Sequence, residues 1–111
     1  MKIGQQVHFS ARISRVIDSS SYPDWLELRF TDAHGKDWVL EEKAPVVTCE
    51  DVVPGGPYEE EASIAAMIVD KQIASDGRPI VVVNTDKPWG ISDVSGNTHF
   101  DLLADNLILD P

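Results

Sequence analysis

The sequence predicts an all-β, mainly antiparallel fold, a single compact barrel or sandwich of about six or seven strands within one domain over residues 1–111. Three observations carry that expectation. Apolar and polar residues alternate with period two in several short runs, as in strands with one face on a core and the other in water. Glycine, proline and Asp/Asn/Ser clusters punctuate those runs at spacings of about ten residues. A chain of 111 residues, 42% hydrophobic and 25% charged, has enough apolar surface for one modest core without a metal or disulfide staple.

Each element follows from local pattern. Val7, Phe9, Ala11 and Ile13 alternate with His8, Ser10 and Arg12, a first strand over 7–13. After the loop-forming residues 19–24, Leu26, Leu28 and Phe30 alternate with Glu27, Arg29 and Thr31 in a second strand. Asp32-Ala33-His34-Gly35 reads as a tight connection, because Gly35 takes a positive φ at little cost. Trp38 and Leu40 then share a face, completing a hairpin over about 25–42. Pro45 and the run Pro54-Gly55-Gly56-Pro57 make 44–58 the longest irregular stretch, with one short helical turn expected around 49–52. Residues 62–73 are apolar and rich in small side chains, a composition that allows a helix. The Asp76-Gly77 turn and the β-branched run 80–83 favour a strand pair with both faces partly covered. Pro88-Trp89-Gly90 breaks the chain, and Ser95-Gly96-Asn97 is expected to turn a hairpin between 91–94 and 98–102. Residues 103–106 read either as a turn before a last short strand over 107–109 or as the start of a frayed helix.

Charge is the most informative functional signal. Nineteen acids against nine bases give a formal net charge of −10. Residues 1–40 and 62–87 are each balanced, whereas 41–61 carry a net −6 and the segment from 88 onward carries four aspartates and no base. Such a field repels phosphate backbones and anionic membranes, and no Lys/Arg cluster with interleaved aromatics offers a groove for nucleic acid. It attracts a basic protein and speeds its association. The plainer reading is that the acids only keep the protein soluble. No apolar run reaches the roughly 20 residues of a membrane-spanning helix. The opening residues MKIGQQVHFSARI hold neither an apolar block nor a small-residue cleavage site, so a cytoplasmic location is expected. The single cysteine agrees with that compartment.

Sites of known chemistry are weakly represented. His8, His34 and His99, with Cys49 as a fourth candidate, fall at no recurrent metal-ligand spacing, and His8 and His99 alternate with apolar neighbours as solvent-facing strand residues do. Glu50 and Asp51 beside Cys49 would raise its thiol pKa, the opposite of what a nucleophile needs. Gly55-Gly56 lacks the Lys and Ser/Thr of a phosphate loop. No metal, cofactor or catalytic residue is therefore expected. Glu41 and Glu42 should point to opposite faces of a strand, and Glu59-Glu60-Glu61 reads first as a solvated run. Trp89 reads first as a lid on one end of the barrel and second as an exposed anchor for a partner; Tyr22 and Tyr58, each next to a proline, share that ambiguity.

The segment Asp37-Trp38-Val39-Leu40-Glu41-Glu42-Lys43-Ala44-Pro45-Val46, with Lys87-Pro88-Trp89-Gly90-Ile91 and Gly96-Asn97-Thr98-His99-Phe100, resembles small β-rich bacterial immunity proteins. These are encoded beside polymorphic or contact-dependent growth-inhibition toxins. The resemblance implies a role, binding and neutralising a toxin domain, and carries over no individual position. An inhibitor of a cationic nuclease must offer carboxylates where the toxin expects phosphates. The acidic blocks are its natural contact surface, with Glu42, Glu50, Asp51, Tyr58, Glu59, Glu60, Glu61, Trp89 and Asp93 as the expected partner-binding residues. The alternatives are a general interaction or ligand-binding β-barrel whose acidity serves solubility, and a small enzyme with carboxylates in a barrel mouth. The enzyme would need a pocket of convergent acids with raised pKa.

Overall fold

A computed structural model describes residues 1–20, 22–48 and 61–109. Among them lie seven strands: β1 (Gln6–Asp18), β2 (Trp25–Thr31), β3 (Asp37–Lys43), β4 (Glu61–Ile73), β5 (Pro79–Asn84), β6 (His99–Leu103) and β7 (Leu107–Leu109). One helical turn, α1 (Ala44–Val47), follows β3, and a single 3-10 turn (Ala104–Asn106) precedes β7. All pairings are antiparallel, in the order β3-β2-β1-β4-β5-β6 with β7 added to β1, and the sheet curls into a half-barrel. The predicted all-β antiparallel class and strand number therefore hold.

Curvature originates in β1, longer than the alternating run from which it was predicted. Its first half pairs with β4 from Gln6 to Arg12, and its second half pairs with β2 from Arg12 to Asp18. The register with β2 shifts between Ile13 and Arg15 and again between Val16 and Asp18. Each extra residue bends the strand and increases its twist, so one strand can serve two differently directed halves of the sheet. A similar shift between Ile68 and Asp70 lets β4 and β5 extend as a hairpin beyond the start of β1. Residues 62–73 are thus strand rather than helix, as the β-branched partner run indicated.

The concave face holds the core. Val7, Phe9, Ala11 and Ile13 of β1 meet Leu26, Leu28 and Phe30 of β2, Ile64 and Ile68 of β4, Val83 of β5, and Phe100 of β6. The ends of the sheet close across this core through side chains. Phe30 packs edge-on against both Phe9 and Phe100, and Trp38 of β3 packs edge-on against Phe100 of β6, with centroids 5.0–5.1 Å apart. Two backbone contacts reinforce the closure: the Ala33 N–H donates to the Asp101 carbonyl at 2.8 Å, and the Val94 N–H donates to the Val39 carbonyl at 3.1 Å within the isolated bridge between Leu40 and Asp93.

Two expectations change, the hairpin over 91–102 and the Trp89 lid, and one lies outside the described residues. Residues 91–94 form no strand and make no hairpin with 98–102; the segment bridges β3 only at Asp93, and the buried Thr85 hydroxyl donates to the carbonyls of Ile91 and Thr98 to hold it there. The helical turn occupies Ala44–Val47, where Pro45 sits in the first turn and its missing N–H costs nothing; the expected site at 49–52 lies outside the described residues. Trp89 is no lid, being 60% exposed. At the other end of the chain, the ambiguity over 103–106 resolves as a turn leading into β7, and Gly35 adopts φ +81 in the β2–β3 connection.

Candidate functional site

The expected partner-binding residues divide by location. Glu50, Asp51, Tyr58, Glu59 and Glu60 lie outside the described residues. Glu42 pairs with the core-facing Leu26, so it sits half-buried on the concave side of β3 and accepts the Lys43 N–H at 2.9 Å. Glu41, paired with Glu27, takes the convex side, as the strand period required. Glu61 is exposed on β4, opposite Arg12. β1 and β2 separate it from Glu42 and from Asp93, which bridges β3 at Leu40.

Asp93 is occupied within its own turn. It is 8% exposed, and its carboxylate accepts from the backbone N–H of Ser95 (3.0 Å) and Asn97 (2.7 Å) and from the Ser95 hydroxyl (3.0 Å). Burial would raise its pKa, but the Asn97 and Ser95 donors outweigh burial and hold the carboxyl below the usual aspartate range. Its charge is directed inward to the turn. Trp89, by contrast, is accessible to a partner.

The convex face of β1, β2 and β3 carries a mixed-sign lattice. One row runs Glu61, Arg12, Arg29 across β4, β1 and β2; the next runs Arg15, Glu27, Glu41 across β1, β2 and β3. Glu27 is its buried centre: its Oε2 accepts from Arg15 Nη2 at 3.0 Å, and its Oε1 accepts from Arg29 Nη2 at 3.2 Å and the Ser14 hydroxyl at 2.9 Å. The Arg15 and Ser14 donors hold its carboxyl below the usual glutamate range. Three arginines against three glutamates leave this lattice formally neutral, so the acidic excess of the molecule resides elsewhere.

A cleft of about 550 Å³ opens between two turns, the β2–β3 connection and the β4–β5 connection. Ile80 and Leu103 line it with Ala33 and Ala74; Asp32, His34, Asp76 and Arg78 contribute its polar groups. His34 Nε2 lies 2.8 Å from Asp101 Oδ2, a contact across 67 residues that ties the β2–β3 turn to β6. Asp76 Oδ2 accepts from Arg78 Nε at 2.7 Å. Asp32 accepts from the Trp38 indole N–H at 2.9 Å and from the amides of His34 and Lys36. The sequence reading missed this site, because no local spacing joins His34 to Asp101; only the topology does.

Every carboxylate among the described residues with a displaced pKa is displaced downward. For Asp32 the indole and amide donors outweigh burial, for Asp76 the Arg78 amide leads, and for Asp18 the Ser20 hydroxyl does. A general acid at neutral pH needs the opposite displacement. Among the described residues no group of three or more His, Cys, Asp or Glu side chains is placed to hold a metal ion, and no helix is long and apolar enough to cross a membrane. Comparison of the chain with models of protein families, with curated proteins and with solved structures finds no match.

Proposed function

We propose that this chain is a non-enzymatic immunity protein that binds a basic toxin domain in the bacterial cytoplasm and occludes its active or substrate-binding site, a nuclease being the best fit. The carrying observation is the concentration of charge, a net −6 within residues 41–61. A surface that places carboxylates where an enzyme expects phosphates competes for the same arginines and lysines. Glu41 and Glu61, at the two ends of that segment, belong to the formally neutral convex lattice, so the surplus charge of the segment is carried by Glu42 and the acids of residues 50–60. The exposed Trp89 offers an aromatic anchor of the kind that dominates interfaces. The downward-displaced carboxylates favour binding over acid–base chemistry.

The test is genetic. The C-terminal segment of the reading frame immediately upstream is expressed in a test bacterium with and without this protein. Growth arrest that this protein relieves supports the reading, and a segment that is harmless or remains toxic overturns that pairing. A ligand-binding β-barrel is the second reading, favoured by the cleft between the two turns.

A further inference from the structure

We propose that the open end of the half-barrel, at the projecting β4–β5 hairpin, docks a second copy of this chain in a two-fold dimer. The inference is independent of the toxin-binding role. The hairpin projects past the start of β1: the ladder between β1 and β4 stops at Met67, opposite Gln6, whereas the β4–β5 ladder runs on to Ile73, opposite Pro79. Beside the projection lies a groove of about 600 Å³, floored by the buried Ile80 and Val81 and walled by the exposed Met1, Ile73 and Pro79. Ile73 is 71% exposed, and Met1, Ile3, Val69 and Ile73 make up four of the eleven large hydrophobic side chains exposed among the described residues. Such a grouping of apolar side chains, rimmed by charges, marks an interaction site.

The rim charges are self-complementary, as a two-fold contact requires, because residue i of one copy meets j of the other and j meets i. Lys71 and Asp105 both line the groove. Lys71 pairs with Val81 and Val81 with Leu102, so β5 separates Lys71 from β6 and from the 3-10 turn that carries Asp105. Two strand spacings, about 10 Å, therefore put a cation and an anion on opposite rims. Lys71 spends one of its three N–H donors on the neutral Met1 carbonyl, at 3.1 Å. The Asp105 carboxylate has no hydrogen bond or ion pair among the described residues. A two-fold rotation about the groove seats each Ile73 against the other copy's apolar floor and sets each Lys71 against the other copy's Asp105. The net charge of −10 does not oppose this contact locally, since Lys2, Lys71 and Arg78 balance Asp70, Asp76 and Asp105 around the hairpin. Glu61, the last acid of the acidic segment, opens β4 and Ile73 closes it, up to roughly 40 Å apart and several screening lengths.

The experiment is sedimentation equilibrium of the full chain at physiological salt, from about 10 μM to about 1 mM. The expected result is a mass that climbs from that of one chain toward that of two. Ile73→Asp, at an exposed strand end, should leave the chain folded and monomeric. Lys71→Glu and Asp105→Lys should each weaken association about tenfold, since symmetry makes a rim ion pair count twice. The double reversal of Lys71→Glu with Asp105→Lys restores opposite charges and should recover the dimer. A chain monomeric throughout, a dimer untouched by Ile73→Asp, or a double reversal as weak as either single one would overturn the proposal. A monomer in which octanoate shifts the amides of residues 71–73, 80–81 and 104–105 would overturn it too, and would give the groove to a small amphiphile.

Discussion

At the residue scale, the most constrained charge is Glu27, which projects from the convex face yet is 7% exposed because Arg15 and Arg29 cover it. Its carboxyl ionises more readily in the folded chain than in the unfolded one. The stabilisation it supplies is therefore complete above the ordinary glutamate pKa of about 4.3 and is lost as pH falls through that value toward the lower folded pKa. Urea unfolding at pH 7 and pH 3 should show this loss, and Glu27→Gln should both flatten the dependence and lower stability at pH 7 by about 1–3 kcal/mol. An unchanged pH dependence in the variant would show that the network contributes nothing. Asp93 makes a parallel case. Asp93→Ala removes the acceptor that organises residues 93–97 and should cost about 1–3 kcal/mol in urea unfolding while leaving partner affinity unchanged. Lost affinity at intact stability would instead return Asp93 to the binding surface, where sequence position alone had put it.

At the element scale, what was legible in the chain is what local pattern encodes. Period-two alternation revealed β1, β2 and β3, and Gly35 and the Asp76-Gly77 pair marked their turns or those of the following hairpin, because both signals depend only on neighbouring residues. Residues 91–94 misled for a physical reason: Ile91 is buried and Asp93 bridges β3, but these interactions come from Thr85 and Leu40, distant in sequence, and build an anchored loop rather than a hairpin. The Pro88-Trp89-Gly90 break was legible, whereas the direction of its indole was not, because exposure depends on what the loop packs against. Closure of the half-barrel depends on Phe100, which meets Phe30 and Trp38 edge-on. Phe100→Ala should destabilise by about 3–5 kcal/mol, whereas Trp89→Ala should change stability by less than about 0.5 kcal/mol, both measured by thermal or urea unfolding. A large loss from the tryptophan variant would reinstate it as a lid.

At the scale of the whole molecule, the extents of 45 × 26 × 25 Å exceed the screening length of about 8 Å at physiological salt several-fold. A partner therefore responds to local blocks of charge rather than to the net −10. Composition revealed the acidic segment, because charge counts need no fold; the cleft stayed hidden, because His34, Asp76 and Leu103 come from three separate parts of the chain. If the acidic segment steers a basic toxin domain, the association rate should fall about ten- to a hundredfold between low salt and 0.5 M salt while dissociation changes little. Charge reversal of Glu59, Glu60 and Glu61 to lysine should slow association at low salt in the same way and flatten the salt dependence, with growth protection weakened in parallel. Stopped-flow binding to the neutralised toxin domain measures both. An association rate indifferent to salt and to the triple reversal would place recognition on neutral contacts, and the acidity of the segment would then serve solubility alone.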